Sequence, residues 1–230
     1  MDLRSLQIAL PGSSDDDAAV EERIQERLKT RGVALPPGTT ITGGFLVQVL
    51  LQETWDTGDI DVVCELGAKR DALLEEIVRL NPGSFVWDGA SYCDQIAEWM
   101  QGGRKGACPK NYAQAMGRPT NEDDCGESWF RNREKQFELK RVILKNGERI
   151  DVIACKDPLA HVMRFDLSVC RVAFTTFTKE LVIQDSVNFF KKRGTYDRNT
   201  TTPGRIQKYV QREFMLEPEE GQHALEASRA

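Results

Sequence analysis

The chain has 230 residues, 40% hydrophobic and 29% charged, with 18 glycines and 9 prolines, a make-up that excludes wholesale disorder and leaves room for one compact domain with a small appendage. Its formal net charge of -5 gives no global positive field for coating nucleic acid, and no run approaches the ~20 apolar residues that a membrane span needs. Residues 1–10 are too weakly basic and apolar for a secretory signal, and the 6 cysteines include no CxxC pair, so the thiols are read as reduced and the protein as cytoplasmic.

In chain order, Val20, Ile24 and Leu28 behind Asp15, Asp16 and Asp17 predict an amphipathic helix over residues 16–31, stopped at Gly32. After Pro36-Pro37-Gly38 come a short strand at Thr39–Thr42, a Gly43-Gly44 break and an apolar helix from Phe45 to about Glu53. A polar loop through Trp55–Gly58 leads to a second strand, Asp59–Cys64, and then to a helix over 69–80 that Asn81-Pro82-Gly83 ends. Residues 89–128 have weak periodicity and read as an insertion with one short helix near 94–100. Cys93, Cys108 and Cys125 fall in that stretch, without the spacings of the common zinc modules. Phe137–Leu144 and Glu148–Ala154 flank Asn146-Gly147, a strong hairpin signal. A helical or mixed stretch follows over 162–177, then a strand near Leu181–Ile183 and two helices at about 185–192 and 203–214. The expected organisation is therefore a body over 1–183, a helical extension over 184–217 packed on it, and a flexible tail over 218–230.

Asp59 and Asp61 lie two apart on one strand, so both carboxylates project from the same face while Ile60, Val62 and Cys64 point the other way. Like charges this close raise each other's pKa, and a hard divalent cation, Mg²⁺ or Mn²⁺, is one way to balance them. A solvent-facing edge strand with two harmless acids is the other reading. Asp151 alternates against Ile150, Val152 and Ala154 in the same manner. If its strand lies beside Asp59–Cys64, three carboxylates converge, enough for two metal ions ~3.5–4 Å apart. Gly43-Gly44, between a strand and a helix start, suits a phosphate cradle, because backbone N–H groups can approach phosphate oxygens there.

The segment Thr42–Cys64, TGGFLVQVLLQETWDTGDIDVVC, resembles the signature of the DNA polymerase β-like nucleotidyltransferases: a Gly-Gly turn, a helix, then two carboxylates one residue apart on the next strand. Asp151 stands where the family's third carboxylate stands. A second stretch, Arg164-Phe165-Asp166-Leu167-Ser168, is similar to a segment of the tRNA CCA-adding enzymes and bacterial poly(A) polymerases, with Arg164, Asp166 and Ser168 on matching positions. Phe165 and Cys170 replace the Arg and Asn of that pattern, so the nucleotide contacts of those two are not carried over. A local Arg164–Asp166 salt bridge is the alternative for this stretch.

The resemblance implies an α+β fold with a mixed sheet, helices packed on one face and catalysis on the other. It implies transfer of a nucleoside monophosphate from an NTP to a hydroxyl, with pyrophosphate released and two Mg²⁺ or Mn²⁺ ions held by Asp59, Asp61 and Asp151. The acceptor is open: an RNA end, a protein side chain or a small molecule. Gly43, Gly44, Arg164 and Ser168 are expected to bind nucleotide. Arg205 and Lys208, on one face of the helix that Thr202-Pro203 opens, are expected near the triphosphate, although most charged stripes are simply solvated. Lys191, Lys192 and Arg193 form a second cluster suited to a nucleic-acid acceptor. His161 is read as structural, and no nucleophile–histidine arrangement is legible. The competing function is a catalytically silent module that binds nucleotide or a partner through the same pocket.

Overall fold

In the computed structural model, which describes residues 14–87, 137–198 and 200–219, the first helix, α1, spans Ser14–Thr30. Val20, Ile24 and Leu28 fall on one stripe of it, since residues four apart share a helix face, and all three are buried. The chain then enters β1 (Thr40–Thr42) and α2 (Gly43–Leu50). This helix starts two residues earlier than its apolar pattern suggests, so the two glycines are its first turn rather than a break before it.

Next come β2 (Ile60–Glu65), α3 (Ala68–Leu80) and β3 (Phe85–Trp87), the last not foreseen from sequence. The hairpin forms as expected from β4 (Phe137–Ile143) and β5 (Arg149–Cys155). Asn146 accepts the Glu148 N–H at 3.0 Å, and Gly147 takes a φ of 87°, which accounts for Asn-Gly at the turn. The stretch expected to be helical or mixed divides into α4 (Pro158–Val162), a 3₁₀ turn at Ser168–Cys170 and a strand, β6 (Val172–Thr175). Then follow β7 (Glu180–Ile183), α5 (Ser186–Phe190), β8 (Arg193–Tyr196), α6 (Pro203–Val210) and β9 (Met215–Pro218).

Seven strands form one mixed sheet in the order β3-β4-β5-β2-β1-β6-β7, and only the central β2–β5 pair is parallel. Ile60, Val62, Ile150 and Val152 alternate onto one face and pack with Ile24, Phe45, Val49, Leu74 and Ile77 of α1, α2 and α3 in the main core. The α+β class is as expected, with two corrections. Helices do not keep to one face: α4 puts Val162, with Leu159 and Met163, over Val63, Ile153 and Ala173 on the opposite side. The C-terminal extension is not all helix either, because β8 and β9 pair in parallel as a second, two-stranded sheet. The expected insertion at 89–128, its three cysteines and residues 220–230 of the tail lie outside the described residues.

Candidate functional site

Strand register decides the geometry. β2 and β5 run parallel with Asp61 directly beside Asp151, and β1 and β4 extend the row with Thr42 beside Asp61 and Arg141 beside Asp151. Adjacent strands lie ~4.8 Å apart, so the two carboxylates are neighbours on one face of the sheet. Asp59, two residues before Asp61, joins them from the mouth of β2 with its side chain 36% exposed. Segments ninety residues apart in sequence thus bring three acids together on the face of the sheet that also carries α4.

Crowding shows in their proton affinities. Burial first, then the charges of Asp59 and Asp151, push Asp61 up to about 8 against the pull of Arg205 and Arg141. Asp59 is raised as well, by burial and then by Asp151, while Arg141, Arg149 and Lys208 oppose the rise. Burial is the larger cause of both rises, and the neighbouring carboxylates add to it.

Sequence reasoning missed Arg141. Its Nε and Nη2 donate to the two carboxylate oxygens of Asp151, and Nη2 lies 3.8 Å from Asp59 Oδ2. Both partners are buried, with side chains 7% and 8% exposed, and Trp87 lies under the guanidinium at 5.9 Å. Removing one member of such a pair typically costs ~3–5 kcal/mol, since the other is left as an uncompensated buried charge.

Gly43 is required by contact as well as conformation. Its φ is 68°, and a Cβ there would overlap the Asp61 carboxylate. Glycine thus lets that carboxylate lie against the backbone at the start of α2. A Cβ on Gly44 would come within 3.3 Å of the Tyr209 hydroxyl, which is itself 2.9 Å from the Cys170 sulfur. Thr42, at the N-cap of α2, spends its hydroxyl on the Val172 carbonyl instead of capping the helix.

The loop from helix to acids is braced along its length. Gln48 donates to the Trp55 carbonyl, Arg31 to the Thr57 hydroxyl at 2.7 Å, Arg212 to the Asp56 carbonyl, and Arg149 to the Gly58 carbonyl at 3.0 and 3.2 Å. Lys192 reaches Glu53 at 2.5 Å and Glu213 at 3.3 Å, which ties the loop to the extension. Arg212 also lies 4.9 Å over Trp55. These contacts fix the approach to Asp59.

No family model matches the chain, and no curated protein matches it. Solved structures do. An apo CCA-adding enzyme matches at 15% identity over 98% of this chain and 44% of its own length, with a TM-score of 0.45. The Thermotoga maritima CCA-adding enzyme complexed with tRNA matches at 17% over 98% and 44%, TM-score 0.46, and a CCA-adding enzyme with ATP at 17% over 95% and 42%, TM-score 0.44. The chain spans less than half the length of each. The likeness is distant, and the chemistry of the site follows from its own residues.

Of the residues expected at the site, Asp59, Asp61, Asp151, Gly43 and Gly44 come together around the row, and Arg205 and Lys208 act on Asp61 and Asp59 from α6. Arg164 is exposed just after α4, and the partner of Asp166 is Arg205, at 3.3 Å, rather than Arg164. Ser168 accepts the Thr195 N–H at 2.7 Å and turns to a separate groove lined by Arg171, Gln184, Asn188 and Glu217. His161 packs against Phe137 and Phe165 at 4.8 and 5.7 Å between ring centroids.

The donor set fits a hard divalent ion on Asp59 and Asp61, whose carboxylates are adjacent and oxygen-only. Both oxygens of Asp151, the expected third ligand, accept from Arg141. Among the described residues no set of three or more His, Cys, Asp or Glu side chains forms a ready metal cage.

Proposed function

We propose that this chain is a metal-dependent nucleotidyltransferase domain that moves a nucleoside monophosphate from an NTP to a hydroxyl acceptor and releases pyrophosphate. The observation that carries the reading is the Asp61–Asp151 register, which sets a carboxylate row beside a glycine-started helix and opposite the cations of α6. Asp59 and Asp61 would hold Mg²⁺ or Mn²⁺, which supplies charge neutralisation for the triphosphate when bound.

The remaining work belongs to the chain itself. The first-turn N–H groups of α2, with no side-chain cap, face the end of the helix where its dipole favours anionic oxygen. Lys208, exposed on α6, and Arg205, one turn earlier, offer cations to the outer phosphates. The loop ties at Trp55–Gly58 hold Asp59 in place, so positioning and electrostatics carry the acceleration. Asp151 accepts two hydrogen bonds from Arg141, which fix the orientation of its carboxylate.

The test is pyrophosphate release from each NTP with Mg²⁺ against RNA, protein and small-molecule acceptors. Wild type should release it with at least one acceptor, and the Asp59→Ala/Asp61→Ala double variant with none. The second reading, a silent nucleotide-binding module, is favoured by one observation, the engagement of Asp151 by Arg141. Nucleotide binding by titration calorimetry without pyrophosphate release from any acceptor would support that module.

A further inference from the structure

We infer that Arg141 is a resident cation that takes the place of a second metal ion, so that the site holds one divalent ion, on Asp59 and Asp61. The inference deepens the nucleotidyltransferase reading and rests on it.

Three observations converge on the same guanidinium. Arg141 sits on the carboxylate row itself, one strand beyond Asp151, so the sheet places it there through backbone pairing and not through a flexible loop. Its Nε and Nη2 satisfy both oxygens of Asp151 while Nη2 stays within ion-pair range of Asp59. It is buried, and its guanidinium carbon lies 5.9 Å from the centre of the Trp87 ring. A planar, permanently charged group in that position meets the carboxylate bidentately, which lysine cannot do.

Charge balance then limits the metal. Three carboxylates carry three negative charges, and one guanidinium with one divalent ion neutralises them. A second divalent ion would have to bind Asp151 oxygens that each already accept from Arg141, setting two cations against one carboxylate. With Arg141 bound to both oxygens of Asp151, the carboxylates of the row without a two-point cation partner of their own are Asp59 and Asp61. The Nη1 of Arg141 is buried and has no hydrogen-bond partner among the described residues, so the guanidinium keeps a donor in reserve beside the ion's place.

The experiment counts Mn²⁺ bound to the full chain by electron paramagnetic resonance of the free ion, alone and with a non-hydrolysable ATP analogue. Wild type should bind one ion per chain in both cases, with no Mn–Mn dipolar broadening. The Arg141→Met/Asp151→Asn double variant removes a neutral pair of matched shape, and should also bind one ion with affinity within about threefold of wild type. Asp61→Asn should abolish binding. Two ions on wild type, or a tenfold weaker ion in the double variant, would overturn the assignment of Arg141 while leaving the nucleotidyltransferase reading intact. No ion on wild type under either condition would overturn both. If the double variant does not fold, the wild-type count and its dipolar signature still decide.

Discussion

Arg141 and Asp151 face each other across β4 and β5 and close a two-point ion pair in the interior of the carboxylate row. That pair gives the site a fixed framework on one side and leaves Asp59 and Asp61 as the responsive half. The framework should be costly to break. Arg141→Met alone strands the Asp151 charge, and a loss of about 3–5 kcal/mol of unfolding free energy is expected. Urea denaturation measures it, and pairing the change with Asp151→Asn should recover most of the loss. A single variant within ~0.5 kcal/mol of wild type would mean that the pair contributes no framework.

Gly43 and Gly147 provide an internal contrast. Both have positive φ, 68° and 87°, but a Cβ on Gly43 would strike Asp61, whereas one on Gly147 would meet nothing within 4 Å. Gly147→Ala should therefore cost only the conformational strain, about 1 kcal/mol, with nucleotide affinity unchanged. Gly43→Ala should cost more than that and also lower NTP affinity at least tenfold by displacing the Asp61 carboxylate. Denaturant melts with calorimetry on both variants test this, and equal effects would contradict it.

Asp61 makes the metal-free protein sensitive to pH. Its folded pKa of about 8 lies well above the ~3.9 of an unfolded aspartate, so the native state binds more protons between those values and loses stability as pH rises through them. Asparagine cannot acquire the charge. In chelator, Asp61→Asn should melt above wild type at about pH 8.5, and the gap should narrow toward about pH 5. Each pKa unit of difference is worth ~1.4 kcal/mol, so the gap should reach several degrees in a chain of this size. Thermal melts across that range check it, and a gap independent of pH would contradict the assignment.

Much of this arrangement can be read from the residues. The alternation of Asp59, Ile60, Asp61 and Val62, and of Ile150, Asp151 and Val152, fixes which face each acid takes once the strands are recognised. Adjacency of β2 and β5 is a tertiary fact that alternation alone cannot supply. Arg141, by contrast, was within reach. The Asn146-Gly147 turn pairs Leu144 with Glu148, and counting back three residues on one strand and forward three on the other sets Arg141 against Asp151. β6 was hidden because Val172, Ala173 and Phe174 are all buried and show no alternation. β8 and β9 are four residues each and find each other across an intervening helix, so their local sequence reads as basic and helical instead.

Lys208 should read phosphate charge. It lies exposed on α6 with its charge acting on Asp59, and it is placed for the outer phosphates of a bound NTP. Lys208→Ala should weaken ATP binding by about tenfold, on the order of 1.4 kcal/mol, and AMP binding by much less. Titration calorimetry with both nucleotides is the check. Equal losses would place Lys208 away from the β- and γ-phosphates.

The most direct measurement is an anomalous difference map from crystals grown with Mn²⁺ and a non-hydrolysable ATP analogue. The account predicts a manganese peak within bonding distance of Asp59 and Asp61, with the triphosphate between the start of α2 and Arg205 and Lys208. Nucleotide and manganese bound away from the carboxylate row, with Asp59 and Asp61 untouched, would contradict it.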